Sequence, residues 1–349
     1  MSMKLLIFEF ATATGLDDPS ITAEGHAMLY GLLDDLKGLK THHLISDVSE
    51  IENSESIPVV LNDDIEKWLK KNIQNYDACL PIAPEENNIL YDLTRIIEEQ
   101  GVEIIGSSSN AVKLTTNKFD TYNILKDKFP IIKTEQVYFN DSDRKISEYE
   151  VYFHNHVKNS SSKVVKPADG VSCLGVTVVN SFNEFMKAHD HLKMFTKLPY
   201  FIIQEYIPGI NISVSLLSNG DSAVPLSLNF QYVSLNSGEI KYRGGKVPIK
   251  HTLSEIAMET AKNAVESIDG LKGYIGVDMI LNNANDKVHI VEINSRLTTP
   301  YVALRGIINF NLGEAILNSI HGELPSEVIL NGEVNFFKEG NTLRISVLK

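Results

Sequence analysis

The residues in this sequence best suited to chemistry lie late in the chain. Asp278 sits in GYIGVDMIL, and Glu292 and Asn294 sit in VHIVEINSR. Both segments are apolar, β-branched runs that read as strands. A carboxylate inside such a run is buried, and a buried carboxylate requires a cation or a hydrogen-bond donor. Glu292 and Asn294 are two apart and so share one face of a strand, and pairing of the two runs brings Asp278 beside them. Oxygen ligands on neighbouring strands suit Mg2+ or Mn2+, hard cations that keep waters and phosphate oxygens among their ligands. Arg296 falls on the same face if the strand continues, where a guanidinium would stabilise a transferring phosphoryl group. A plain salt-bridged hairpin, with Arg296 against Glu292, accounts for the same residues without chemistry.

Two cations and a flexible loop come earlier. Lys118 lies on an expected helix and Lys166 at the end of the run KVVK, supports on which an ammonium can meet phosphate as a point charge. An ordinary surface position explains Lys118 by itself. Lys166 resists that explanation, because VVKPADG places it just inside an apolar strand. Residues 168–175, ADGVSCLG, then supply small side chains and two glycines, Gly170 and Gly175. With Val171 and Ser172 between them, their backbone N–H groups are able to wrap phosphate oxygens; the alternative is an ordinary hairpin tip. No G-x-x-x-x-G-K-[ST] and no G-x-G-x-x-G occurs, so neither a P-loop nor a Rossmann dinucleotide site is supported.

Positioning these groups takes two kinds of sheet. Residues 4–10, 43–45, 78–82 and 102–105 read as strands, separated by helical patterns at 24–36 and 88–100. That alternation implies βαβ units and a parallel sheet. Short helices follow, one capped by Ser109 or Asn110 and one capped near Asn117 that carries Lys118. Residues 140–162 read as loops around one short helix. KVVKPADGVSCLGVTVV reads as a hairpin and 182–193 as a helix. YFIIQEYIPG, NISVSLLSNG, SAVPLSLNFQYVSL and YIGVDMILNNANDKVHIVEIN read as strands joined by tight turns, an antiparallel sheet. Helices at 253–268 and 312–319 complete the pattern. The expected class is α/β with α+β subdomains. It divides into 1–105, an N-terminal α/β domain; 106–195, a small subdomain; and 196–349, a C-terminal antiparallel-sheet subdomain, of which the family resemblance given below implies that the first lies on the substrate side and the second is a lid.

The chain has 349 residues, 43% hydrophobic and 22% charged. That suffices for more than one core and excludes wholesale disorder. A net charge of -13 argues against nucleic acid or an anionic membrane as the main partner. Cys79 and Cys173 stand far apart with no CxxC, so neither a disulfide framework nor a zinc site is expected, and a reducing cytoplasm fits. The opening MSMKLLIFEF is too short and, with Glu9, too charged for a signal-peptide core. No stretch approaches the ~20 apolar residues of a membrane span. Small-molecule substrates are expected; the oligomeric state stays open, a homodimer included.

The strings IGSSSNAVKLTTNK, VVKPADGVSCLGV, IIQEYIPGINISVS, GYIGVDMIL and VHIVEINSR, in that order over residues 105–297, resemble the ATP-grasp superfamily. The resemblance implies an ATP-grasp fold behind a parallel pre-ATP-grasp domain. It implies that Lys118 and Lys166 contact ATP phosphates and that the 168–175 loop closes over them. It further implies that Gln204, Glu205, Tyr206 and Ile207 form an adenine-facing hinge, and that Asp278, Glu292 and Asn294 hold the metal. The acid that often follows the hinge glycine in this family is Asn211 here. The implied activity joins a carboxylate to an amine: ATP phosphorylates the carboxylate, the amine attacks the acyl phosphate, and flap closure keeps water out. KLLIFEFATATG, EGHAML, PLSLNFQYV and YRGGKVPI lie outside the generic nucleotide site and bear on the amino acid and the amine. Arg243, Lys246 and Arg305 are the cations expected to hold an amino acid's α-carboxylate, although plain surface charge explains Arg305 as well. Arg296, Lys246 and Arg243 make up the expected catalytic set. Gly15, Glu24, Gly25 and His26 are expected near the C-terminal ends of the first strands, where open α/β sheets bind ligands. Residues 118–296 do not separate one acid–amine pair from another. A nucleotide-binding protein without turnover is the other alternative, and the intact Asp278, Glu292 and Asn294 set speaks against it.

Overall fold

The computed structural model describes residues 3–47, 55–139, 149–150, 153, 162–282, 284–340 and 342–348. The loops and short helix expected at 140–162 lie almost wholly outside these residues. Strand β1 (Lys4–Glu9) is apolar on both faces: Leu5 and Ile7 enter one core, Leu6 and Phe8 another. A strand buried on both sides belongs in a parallel sheet covered by helices. β1 is the centre of five parallel strands in the order β3-β2-β1-β4-β5, with β2 at Lys40–Ile45, β3 at Ile57–Val60, β4 at Ala78–Ile82 and β5 at Glu103–Ile104. Helix Pro19–Asp35 packs on one face, and helices Ile65–Asn72 and Ile89–Glu99 on the other.

Two boundaries differ from the sequence expectation for reasons of capping. β1 stops at Glu9 because its carboxylate accepts the N–H groups of Ala11 and Thr12 and caps a short helix, Phe10–Thr14. The next helix starts at Pro19 instead of residue 24. Asp18 caps it, and Pro19 takes a first-turn position where its missing N–H has no partner to lose. β3, absent from the sequence expectation, is a short edge strand containing Pro58, which blurs its signal.

The remainder builds an 11-stranded sheet with the path β14-β13-β10-β11-β12-β8-β7-β9-β6, from which β15 and β16 branch at β12. These strands are β6 (Thr134–Tyr138), β7 (Lys163–Lys166), β8 (Thr177–Val179), β9 (Tyr200–Glu205), β10 (Ile210–Asn219), β11 (Ala223–Asn236), β12 (Glu239–Val247), β13 (Lys272–Asn282), β14 (Lys287–Asn294), β15 (Glu333–Glu339) and β16 (Thr342–Leu348). β10 alternates as a half-apolar strand should. Ile212, Val214 and Leu216 enter a core under helix Ser254–Glu266, and Ser213 and Ser215 are buried on the other face. That second face becomes the floor of the site. β12 was not among the strands expected from the sequence, where Gly244 and Gly245 interrupt the strand pattern. They are strand glycines because β15 passes so close that a Cβ at Gly244 would collide with the Phe336 carbonyl.

The cores cut the chain at other points than residues 105 and 195. Ala111 and Leu125 pack with helix Ser254–Glu266, while Phe201 and Ile203 of β9 join the lid core with Val137, Val165 and Phe185. Among the described residues no helix is long and apolar enough to cross a membrane.

The two ends of the chain are locked together by Arg305. Its Nε donates to Asp35 at 2.9 Å and its Nη2 to Asp34 and Asp35 at 2.6 Å each, and Asp35 also accepts from the Tyr301 hydroxyl. Arg305 is therefore a structural tie and not the expected carboxylate-holding residue. Arg305→Ala leaves the half-buried Asp35 without its cation and should lower stability by about 1–3 kcal/mol. The urea midpoint of the variant against the unaltered chain checks this; an unshifted midpoint contradicts it.

Candidate active site

The floor and roof of one cavity of about 440 Å³ bring most of the expected residues together. Its floor is the polar face of β10, β11, β13 and β14. Register pairs Asp278 with Glu292 across β13 and β14, and with Ser213 across β10, so all three side chains rise from the same face. Asn294 Nδ2 lies 3.4 Å from Asp278 Oδ2, and Gln231 Nε2 donates to Asp278 Oδ1 at 2.9 Å. Gln231 was not singled out from the sequence. Its signal was the alternation of Asn229 and Gln231 with apolar residues in SLNFQYV.

Above this floor stand the two lysines. Lys118 is 7% exposed; its Nζ lies 3.2 Å from Glu292 Oε2 and donates to the Gly170 carbonyl at 2.6 Å. Lys166 is 5% exposed and lines the same space. Burial pulls its ammonium down to about 8, against the opposing pull of Glu292. The two carboxylates answer this field differently. Burial and the neighbouring Glu292 push the Asp278 carboxyl well up, and the hydrogen bonds from Asn294 and Gln231 do not offset them. Burial acts on Glu292 in the same sense, but Lys118 and Lys166 outweigh it and hold that carboxyl below its usual value. Cys173 also lines the cavity, and burial with the two carboxylates pushes its thiol up to about 12, which removes it as a nucleophile near neutral pH.

The flap between β7 and β8 is fixed at its base. Lys118 donates its backbone N–H to the Ala168 carbonyl at 2.9 Å. Asp169 accepts from the Thr196 hydroxyl at 2.7 Å and from the Asn87 N–H at 3.1 Å. Gly170, Val171 and Ser172 line the cavity. Gly175 does not. It has φ +71°, and a Cβ there would press on Phe195 and Leu192, so its role is close packing of the flap on the lid helix Phe182–Leu192 and the turn after it. On the far side, Gln204, Glu205, Tyr206, Ile207 and Asn211 all line the cavity, and Gln204 is fixed by a 2.8 Å bond to the Thr134 hydroxyl.

Arg296 lines the cavity as expected, and it is not paired with Glu292 as a plain salt-bridged hairpin would require. Its Nε and Nη2 grip Glu85 at 2.9 and 2.7 Å, a bidentate pair reaching back to the parallel sheet's loops. Another N–H donates to the Leu297 carbonyl. A guanidinium has five N–H donors, so two remain for a ligand. Nothing near residue 85 advertised this pair.

Arg243 and Lys246 lie outside the cavity, contrary to expectation. A bulge at Arg243 sets Val233 opposite Tyr242 but Tyr232 opposite Gly244. The face of β12 that looks into the cavity at Ile240 and Tyr242 is therefore continued by Gly245, opposite Gln231, and not by Lys246. Lys246 turns to the other face and pairs with Glu333 at 2.6 Å, and Arg243 is exposed with Nε on the Ser234 hydroxyl. Of the N-terminal candidates, Glu24 and Gly25 line the cavity while Gly15 and His26 do not.

Among the described residues no three His, Cys, Asp or Glu side chains gather. Two facing, half-buried carboxylates with an amide beside them nevertheless suit a Mg2+-type ion, which takes one or two carboxylates and completes its sphere with phosphate and water. Burial first and the facing Glu292 second raise the Asp278 carboxyl, and a bound cation would favour its charged form.

Residues 115–300 match the model of the ATP-grasp domain, and residues 43–112 match that of the pre ATP-grasp 3 domain. The chain is 34% identical over 350 residues to tyramine–L-glutamate ligase of Methanocaldococcus fervens, covering 98% of this chain and 99% of the relative. It is 34% identical over 327 residues to the enzyme of the same name from Methanocaldococcus jannaschii, covering 91% and 90%. A crystal structure of an ATP-grasp superfamily protein from Archaeoglobus fulgidus covers 100% of both chains with TM-score 0.71 at 27% identity. The biotin carboxylase domain of 2-oxoglutarate carboxylase from Hydrogenobacter thermophilus, solved as a dimer with MgADP, ADP and bicarbonate, has TM-score 0.74 at 13% identity. It covers 97% of this chain and 74% of its own, a likeness of fold.

Replacing Lys166 by Ala removes a buried ammonium from the cavity and should weaken ATP binding roughly tenfold to hundredfold, the value of one charge-assisted contact. Titration calorimetry with ATP measures it, and an unchanged affinity places the phosphates elsewhere.

Proposed function

The chain belongs to the ATP-grasp family, and we propose that it joins L-glutamate to tyramine, with ATP cleaved to ADP and phosphate, giving γ-glutamyltyramine for methanofuran biosynthesis. It is an ADP-forming carbon–nitrogen ligase. One observation carries the substrate reading: the match to tyramine–L-glutamate ligases runs the full length of both chains, including the N-terminal half of the cavity wall that the nucleotide does not need.

The chemistry follows from charge. A carboxylate repels an incoming nucleophile and has no leaving group. Transfer of the γ-phosphoryl group of ATP to the glutamate side-chain carboxylate gives an acyl phosphate. The amine, once its ammonium has lost a proton, attacks through its free lone pair; the tetrahedral oxyanion collapses to the amide, and a second N–H proton leaves with the released phosphate. In this reading Lys118 and Lys166 hold the phosphates, and Gln204 to Ile207 with Asn211 hold the nucleoside. Asp278, Glu292 and Asn294 hold Mg2+ or Mn2+, whose charge, when bound, would offset that of the phosphoryl group. Arg296 has two N–H groups left to donate towards the acyl oxygen or the phosphoryl oxygens. Glu85 holds the guanidinium in place beforehand, so no reorientation is needed when charge develops. The flap carrying Gly170, Val171 and Ser172 keeps water from the acyl phosphate.

Two tests address this reading. ADP release with glutamate and a panel of amines should be fastest with tyramine, and mass measurement should detect γ-glutamyltyramine; release independent of any amine, or a different preferred acid, overturns the assignment. Glu292→Ala should reduce ligation by at least about a hundredfold while the circular-dichroism spectrum is unchanged. Turnover close to that of the unaltered chain removes Glu292 from the metal site.

A further inference from the structure

The cavity has a second half, away from the lysines, formed by the C-terminal edge of the parallel sheet. β1 and β4 run side by side with Glu9 opposite Ile82, so Phe10 and Ala83 leave adjacent strands at the same level. Helix Pro19–Asp35 lies against them and presents Ile21, Glu24, Gly25 and Met28, spaced as one helical face, to the cavity. Gly25 is required there because a Cβ would collide with the Glu9 carboxylate. Phe10, Leu16, Ile21 and Met28 make this wall apolar, and Leu16 stays 42% exposed.

Four acids stand around this half, and three are already satisfied. Glu9 accepts from the N–H groups of Ala11 and Thr12 and from the Thr12 hydroxyl. Glu24 accepts from the Thr299 hydroxyl at 2.7 Å and is paired with Lys338. Glu85 is held by Arg296. The fourth, Glu86, lines the cavity and has no cation or side-chain donor among the described residues. Burial, with Asp169 and Glu85 nearby, raises its carboxyl above the usual range. Its position is not loose. Glu85 on one side is tied to Arg296 beside the metal-side strand, and Asn87 on the other is tied to Asp169 at the base of the flap. Glu86 thus sits between the phosphate end and the apolar wall.

We propose that Glu86 holds the ammonium group of the amine substrate and that Phe10, Leu16, Ile21 and Met28 seat its aryl ring. This rests on the ligase reading above and deepens it. Glutamate fits this half less well: its α-ammonium travels with an α-carboxylate that Glu9 and Glu86 would repel, and it has no aryl group to cover Phe10, Leu16, Ile21 and Met28. A cationic arylalkylamine supplies the charge that Glu86 lacks and buries apolar side chains that now face water.

The test is direct binding, so it does not depend on turnover. With the protein saturated in ADP and Mg2+, tyramine should bind roughly tenfold to hundredfold more tightly than its uncharged alcohol analogue, 2-(4-hydroxyphenyl)ethanol. Glu86→Gln should remove that preference, Glu86→Asp should restore part of it, and Ile21→Ala should narrow the preference for tyramine over ethylamine. ADP affinity and melting temperature report whether each variant is folded. The tyramine-to-alcohol comparison in the unaltered chain stands even if a variant is not. Equal binding of tyramine and the alcohol by the unaltered chain, or a Glu86→Gln protein that loses affinity for glutamate while keeping it for tyramine, overturns the proposal. Glu86-dependent tyramine binding without any amide formed would sink the ligase reading and leave this inference standing.

Discussion

The structure turns on placing two ammonium groups against two carboxylates out of water. Isolated, each of these charges would be costly to bury. Together they form a set in which Lys118 and Lys166 depress Glu292, and Glu292 in turn raises Asp278. The arrangement balances without being satisfied: Lys166 is pulled down and Asp278 pushed up, which leaves room for both more positive and more negative charge. A nucleotide triphosphate with a divalent ion supplies both at once. The residues that pair with each other across the cavity are of the types a metal–phosphate ligand needs.

Holding that set requires three separate pieces of chain to meet. The polar floor comes from one face of the antiparallel sheet, whose other face is pinned by helix Ser254–Glu266. The lysines come from the start of helix Lys118–Leu125 and from the end of β7. The third piece is the loop after β4, which ties Glu85 to Arg296 and Asn87 to Asp169, so one short loop contacts both the segment after β14 and the flap. Movement of the flap relative to the parallel sheet would therefore be felt at Asp169 first. The parallel sheet therefore takes part in the charge set of the cavity, because its loop residue Glu85 holds Arg296.

Much of this was legible beforehand. Period-two alternation put Glu292 and Asn294 on one face, and the apolar setting of Lys166 marked it as something other than a surface lysine. The apolar run of β1 announced a doubly covered parallel strand, and Leu5–Ile7 and Leu6–Phe8 do enter separate cores. The failures share a cause. Lys246 was assigned by type and proximity in sequence, but the bulge at Arg243 inverts which face each later residue occupies. Gly175 was grouped with its loop, although its backbone angle and packing serve the lid. Arg305 was read as a free cation, yet Asp34 and Asp35 hold it from the other end of the chain.

What the sequence determined by itself is whatever depends on neighbours along the chain: strand and helix periods, caps, the composition of the flap, and the presence of oxygen and ammonium groups able to serve a metal and phosphate. What only the tertiary structure decided is which charges meet. Arg296 and Glu85 are 211 positions apart, and Asn87 and Asp169 are 82 apart. Coulombic pairing depends on distance in space, and no local period encodes a contact between segments so far separated. Side-chain facing survives only until a bulge resets it. The allotment of Glu86 to the cavity and of Lys246 away from it therefore had to wait for the fold.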